Sequence, residues 1–371
     1  MNKIVAALTV VYLSTAVLIG GQTTARAPMA EEVFKNVQVL KGIPVDEFMA
    51  TMGFFAAAIG LNCTDCHVDE SGGSWAKYAD DNDLKCTTRR MIQMVTALNK
   101  ASFQGRQMVT CNTCHRGSSR PNVMPSLAQL YGAPPPDEPG DPVEQAPGQP
   151  APDQVLDKYL QAIGGAQRVA ALTSFTAKGT YLGFDDAEKR TLEVFAKAPD
   201  QRATITRSDV GPSTTIVNGA SGWIAGLENE RPLPLIAITG QELDGVRLEA
   251  GLSFPGRIKQ SLTKWRTGPP AVLADREVRV VQGTTAGGGT VTLCFDAESG
   301  LLVRLVRFAE SPVGRLVTQV DYANYRDVAG VKMPFKWTVS WLNGKSVYEL
   351  TDVQPNAAID ASRFARPAVA R

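Results

Sequence analysis

Both histidines of this 371-residue chain stand immediately after a Cys-x-x-Cys pair, and that pattern restricts the chain more than any other feature in it. The two runs are Cys63-Thr64-Asp65-Cys66-His67 and Cys111-Asn112-Thr113-Cys114-His115. Two thiols with two residues between them reach neighbouring vinyl groups of a porphyrin from one helical turn. The adjoining imidazole then meets the iron from the same side. A zinc site is the plain alternative, since two Cys-x-x-Cys pairs can supply four ligands. Against it, each His follows its second Cys directly and no further His exists. A redox dithiol belongs on a strand-to-helix turn in an alternating β/α pattern, which is absent here. The spacing therefore predicts two covalently bound haem c groups, attached through Cys63, Cys66, Cys111 and Cys114, with His67 and His115 as axial iron ligands.

With both histidines used, Met is the natural ligand for the far face of each iron, where a thioether raises the potential relative to His. Met49 and Met52 share a helix face ahead of the first motif. Met91, Met94 and Met108 precede the second, and Met108 stands too close to Cys111 to fold back across a ring. Met is also a common core filler, so position alone does not choose among them.

Patterning divides the chain. Lys3 followed by an apolar run from Ile4 to Gly21 and Ala25-Arg26-Ala27 reads as an export signal over residues 1–27, either cleaved or kept as a membrane anchor. The rest then sits in the periplasm. Residues 28–132 read as mainly helical, with helices expected over Glu31 to Leu40, from Pro44 to a stop at Gly60, and from Leu84 to Asn99. Residues 133–153 hold prolines at 134, 135, 136, 139, 142, 147, 150 and 152 and read as an extended, solvated linker. Beyond it, Asp153 is a candidate N-cap for a helix ending at Gly164-Gly165. Alternation such as Phe335, Trp337, Val339, Trp341, followed by Asn343-Gly344, predicts a curved antiparallel β domain over residues 154–371 with one or two covering helices. Lys plus Arg total 38 against 37 Asp plus Glu, a balance that gives no footprint for nucleic acid.

The run Asn36-Val37-Gln38-Val39-Leu40, then Val45, Glu47, Phe48 and Met52, then the first motif, resembles the start of the cytochrome c subunit of photosynthetic reaction centres. The likeness continues through Lys85, Arg89-Arg90-Met91, Met94 and Cys111-Asn112-Thr113-Cys114-His115-Arg116-Gly117, over roughly residues 31 to 125. It implies a multihaem cytochrome c fold with Met52 and Met91 as distal ligands. It also implies a redox partner, a membrane photosynthetic reaction centre or, as the alternative, a respiratory complex. The familiar subunit carries four haems and a lipid-bearing Cys; this chain has two motifs and no such Cys. The β region resembles the LolA/LolB half-barrel at Ala162-Ile163-Gly164-Gly165, Gly222-Trp223, Tyr325-Arg326-Asp327-Val328, Gly330-Val331, Met333-Pro334 and Phe364-Ala365. That resemblance implies a concave face able to hold a lipid or acyl chain.

The expectation is an electron-transfer protein rather than an enzyme. A dihaem peroxidase, which needs an open iron position, and a redox-sensing lipid or lipoprotein binder are the rivals. Arg89, Arg90, Arg116 and Arg120 are expected to flank the second haem, and Asp65, Asp69, Glu70, Asp80, Asp81 and Asp83 the first. Cys86 and Cys294 remain over, and are expected to be free thiols.

Overall fold

The structure, a computed structural model, describes residues 26–67, 75–132, 143–184, 186–209, 211–226 and 232–368. The expected export signal lies outside them apart from its last two residues. Among the described residues no helix is long and apolar enough to cross a membrane. The first third is helical: α1 (Ala30–Val33), α2 (Val45–Ile59), α3 (Cys63–Cys66), α4 (Asp83–Ser102), α5 (Cys111–His115) and α6 (Leu127–Tyr131). Helix α2 starts after Pro44 with Asp46 and Glu47 at its positive end. It stops at Gly60, whose φ of 65° lets its N–H close on the Ala56 carbonyl. A Cβ there would also lie 2.2 Å from the Gly117 carbonyl oxygen, so the same glycine admits the loop beyond α5. The expected helix over Glu31 to Leu40 ends at Val33 instead. Asn36 turns left-handed (φ 59°) and its amide donates to the Ala79 carbonyl and to Asp81, bonds that a helix would forgo.

The rest is one antiparallel sheet. Two helices, α7 (Pro152–Ala162) and α8 (Ala166–Ala171), precede β1 (Ser174–Leu182), β2 (Arg190–Lys197), β3 (Gln201–Ser208), β4 (Gly211–Asn218), β5 (Ser221–Ala225) and β6 (Leu235–Ile238). Helices α9 (Gly240–Gly251) and α10 (Ile258–Ser261) then cross to β7 (Thr263–Thr267) at the opposite edge. The chain returns through β8 (Ala271–Leu273), β9 (Arg276–Thr284), β10 (Thr290–Asp296), β11 (Leu302–Ser311), β12 (Gly314–Val328), β13 (Val331–Trp341) and β14 (Gly344–Pro355). Strand β14 pairs with β1, so the order is β6-β5-β4-β3-β2-β1-β14-β13-β12-β11-β10-β9-β7, with β8 also on β9. Residues from strands far apart in that order, such as Val194 and Leu293, bury against α7 and α9 in one cluster, so the sheet curls around its helices. Two local expectations shift. Pro152 opens α7 with Ala151 as its cap, leaving Asp153 in the first turn. The β13–β14 hairpin turns at Leu342 and Asn343, because Gly344 already pairs with Trp341.

The Pro-rich segment is not solvated throughout. Its described part lies along the β7 edge: the Ala146 N–H donates to the Thr267 carbonyl at 2.8 Å and Gln145 accepts from the Thr267 N–H at 2.9 Å. Cys86 and Cys294 are both unbridged, and burial pushes the Cys294 thiol up to about 11.

The helical region does not hang free of the sheet. Val313, at the tip of the β11–β12 hairpin, is buried in one cluster with Phe54, Phe55, Ala58 and Ile92. The neighbouring Gly314 (φ 158°) leaves no room for a side chain, since a Cβ would sit 2.4 Å from the Phe54 ring. Gln107 donates to the Ser311 carbonyl at 3.0 Å. Asp46 accepts from the Thr239 N–H at 2.6 Å and from its hydroxyl at 2.9 Å, at the start of α9. Burial raises the Asp46 carboxyl above its ordinary value despite these bonds. A group raised in the folded state holds its proton more tightly there, so its charged form costs stability as pH climbs through the window above about 4. Asp46→Asn should therefore raise the melting temperature near neutral pH and flatten its decline between acid and neutral pH. A variant with an unchanged pH profile in thermal melts would refute this.

Candidate functional site

The first motif forms α3, a single turn capped by Asn62, whose side chain accepts from the Asp65 N–H at 3.1 Å. His67 follows, and its Nδ1 lies 2.9 Å from the Tyr78 carbonyl oxygen. A carbonyl only accepts, so Nδ1 carries the proton and Nε2 keeps its lone pair for a metal. Burial holds the His67 imidazole below its ordinary pKa, in the neutral form that ligation needs. Burial likewise raises the Cys66 and Cys111 thiols. A working redox dithiol has a depressed thiol pKa, so the shift runs against that alternative.

Above α3 opens a cleft of about 270 Å³, part of it open to solvent. One wall is α2, through Phe48, Met49, Met52, Phe55, Ala56 and Ile59; another is the extended stretch from Phe34 to Leu40; α4 contributes Lys85, Thr88, Arg89 and Ile92. The lining is apolar apart from the rim. Trp75 also lines the cleft, and its buried indole Nε1 has no hydrogen-bond partner among the described residues. An orphaned buried donor beside an apolar cleft fits a flat macrocycle with acidic substituents. Lys85, which donates to the same Tyr78 carbonyl at 2.6 Å, and Arg89, paired with Asp81 at 2.8 Å, supply positive charge at that rim. Burial, then the neighbouring Arg89, pulls the Lys85 ammonium below its ordinary value. Arg89 thus faces the first motif rather than the second, against expectation: three helical positions separate it from Ile92 on one face. The acidic group expected around the first motif is partly neutralised, since Asp81 also pairs with Lys85 at 3.9 Å.

The second motif forms α5. His115 Nδ1 lies 2.9 Å from the Ser118 carbonyl oxygen, the same tautomer lock as at His67. The Gly117 N–H donates to the Ala58 carbonyl, so α2 supports this motif as well. Asn99, buried on α4, holds the approach: its amide donates to the Val109 carbonyl at 2.7 Å, and its oxygen accepts from the Met108 and Val109 N–H groups. The side of α4 turned away from the first cleft carries half-buried Met91 with exposed Leu84, Met94 and Leu98. Val123, Met124, Leu127 and Leu130, ahead of and along α6, are more exposed still. That much bare apolar surface beside a Cys-x-x-Cys-His turn fits a second ring laid against α4. Among the described residues, no three His, Cys, Asp or Glu side chains gather as a metal-ion cluster, so the two motifs do not converge as the zinc alternative requires.

These geometries agree with the relatives of the helical region. Residues 10–133 match the photosynthetic reaction centre cytochrome C subunit family. The photosynthetic reaction center cytochrome c subunit of Thermochromatium tepidum is 41% identical over 98 residues, covering 25% of this chain and 23% of its own. That of Rubrivivax gelatinosus is 34% identical over 99 residues, covering 25% of each chain. The chain spans about a quarter of the length of these curated relatives. The β region is similar to a LolA superfamily protein from Nitrosomonas europaea (TM-score 0.39, 14% identity, 58% of this chain and 98% of that one). It is also similar to a DUF1329 family protein from Desulfovibrio piger (TM-score 0.42, 9% identity, 60% and 100%). Likeness at that level carries no argument, and the β region is read from its own residues.

The spacing marks the Cys-x-x-Cys-His residues, and Trp75 with Tyr78 as packing either on a haem edge or in ordinary core, but not Asn99 or the two carbonyls, because backbone acceptors leave no mark in a sequence. Asn99→Ala removes three part-buried hydrogen bonds to the Met108–Val109 backbone, at about 0.5–1.5 kcal/mol for each. It should lower the denaturant midpoint and reduce covalent haem at Cys111 and Cys114 while sparing Cys63 and Cys66. Equal loss at both motifs, read by peptide mass, would contradict the assignment.

Proposed function

We propose that this chain is an exported dihaem c-type cytochrome that carries single electrons, its haems attached at Cys63, Cys66, Cys111 and Cys114 and ligated by His67 and His115. The observation that carries the reading is the paired tautomer lock: each motif imidazole gives its Nδ1 proton to a backbone carbonyl and turns Nε2 outward. Haem supplies the one-electron couple; the protein holds it, sets its ligands and limits water. Met52, on the α2 wall of the first cleft, is the proposed distal ligand there, with Met49 beside it as the nearest competitor. Met91, on the outer side of α4, is the proposed distal ligand of the second ring. Trp75, Lys85 and Arg89 are placed to take the acidic substituents of the first ring. With both iron faces filled, the role is electron carriage rather than peroxidase chemistry. The partner is a redox protein in or at a membrane, a photosynthetic reaction centre in the first instance and a respiratory complex in the second. Periplasmic residence follows from covalent haem attachment and the N-terminal apolar run.

A second reading has one observation in its favour. The concave side of the sheet holds a partly open cavity of about 230 Å³, with mostly aliphatic and aromatic walls that suit a lipid or acyl chain.

The purified mature chain should keep two haems through acid and organic extraction, and Cys63→Ala/Cys66→Ala should keep one. Met52→His should lower one midpoint potential and leave the other in place, because imidazole stabilises ferric iron relative to a thioether. Colour that extracts from the wild-type chain would end this reading.

A further inference from the structure

Two guanidiniums line the cavity on the concave side of the sheet, Arg307 buried and Arg202 half-buried, and they are treated very differently. Arg307, on β11, is bound on both sides by α9: its Nε donates to Glu249 at 2.7 Å and its Nη2 to Glu242 at 2.9 Å. Its Nη1 donates to Glu242 as well, so all three nitrogens meet a carboxylate, and the pair of acids holds the guanidinium charged. Arg202, on β3, has no such partner. Among the described residues no carboxylate lies within ion-pair distance of it. Its one protein hydrogen bond runs from Nη1 to the Ser253 hydroxyl at 3.3 Å, and its Cζ stands 5.0 Å from the centre of the Trp337 ring. Glu249 acts on it only through space, its carboxylate being taken by Arg307.

The placement of Arg202 is dictated by the strand. Its neighbour Ala203 is buried on the other face of β3 against Ile216 and Phe364, and Ile205, two positions on, is buried on that same face. Alternation then sends Arg202 and Thr204 to the concave side, where both line the cavity. A guanidinium has five N–H donors in a fixed fork. With one long hydrogen bond to the protein and an aromatic face, Arg202 leaves most of that fork to an anion entering the cavity. Most of the remaining lining is apolar, so the anion belongs to a molecule whose remaining body is apolar.

We propose that the cavity binds an apolar monocarboxylate, with its carboxylate held by the Arg202 fork over Trp337 and its body along Phe175, Val194 and Leu350. The proposal rests on the reading that this cavity takes an apolar molecule, and adds the charge and the anchor. The Ser253 hydroxyl is near enough to Arg202 to share the carboxylate. The paired Arg307 stays out of the contact, because its acids would repel a second anion.

The test uses the full-length haem-loaded protein and equilibrium dialysis with radiolabelled dodecanoate and 1-dodecanol, which share a tail and differ in charge. Wild type should hold dodecanoate about tenfold or more tighter than dodecanol, the worth of a hydrogen bond to a charged group. Arg202→Leu should lose that margin for the acid and keep its affinity for the alcohol, and Arg202→Lys should keep part of the margin. Dialysis with 2-naphthoate alongside separates a straight-chain acid from a compact aromatic one; either, weakened by Arg202→Leu, supports the anchor. Ligand-free Arg202→Leu should melt no lower than wild type, since it removes a half-buried cation held to the protein by one long hydrogen bond. A sharply lower melting temperature would make Arg202 a structural residue and overturn the proposal. Should the leucine variant fail to fold, the wild-type comparison of acid and alcohol still decides. Equal binding of both probes would sink the carboxylate anchor while leaving an apolar cavity, and binding of neither would remove both.

Discussion

Helix α2 carries its charges, Asp46 and Glu47, in its first turn, and beyond them it offers no polar face. A helix apolar all round has to be covered all round, and the molecule is arranged to do so. Met49, Met52 and Ile59 look into the first cleft, Phe54 meets the β11–β12 hairpin, and Ala58 with Gly60 receives the loop after α5. Both motifs and the sheet are therefore referred to a single rod. Its one polar end is not wasted, because Asp46 accepts from the N–H of Thr239, the residue that caps α9, across the junction.

Backbone carbonyls do the fine positioning. Tyr78 and Ser118 each orient an imidazole, and the loops that present them are held by Asn82, whose amide donates to the Cys66 carbonyl, and by the Gly60–Gly117 approach. Loops pinned this way position ligands as firmly as a helix would, without the length that a helix requires.

The parts of this arrangement that are local in sequence could be read in advance. The Cys-x-x-Cys-His turns, α2 with its glycine stop, α4, and the alternating strands from β10 to β14 all follow from spacing. What could not be read depends on distant partners. Asn36 leaves the helical path for hydrogen bonds to residues more than forty positions away. Val313 looks like a hairpin tip until Phe54 is placed against it. Val143, inside a proline-rich stretch, donates to Gln282 on β9 rather than to water. Arg89 was assigned by nearness in sequence to the wrong motif, because α4 turns it to the opposite side from Met91.

That division of α4 into two sides has a consequence for spacing. One side shows Lys85, Arg89 and Ile92, the other Leu84, Met91 and Leu98, so a single helix is the partition between the first cleft and an exposed apolar surface. The girth of an α-helix is about 10–12 Å with its side chains, and backbone hydrogen bonding makes it nearly incompressible. Groups seated on its two sides are kept apart by that girth, with no hinge in the interval.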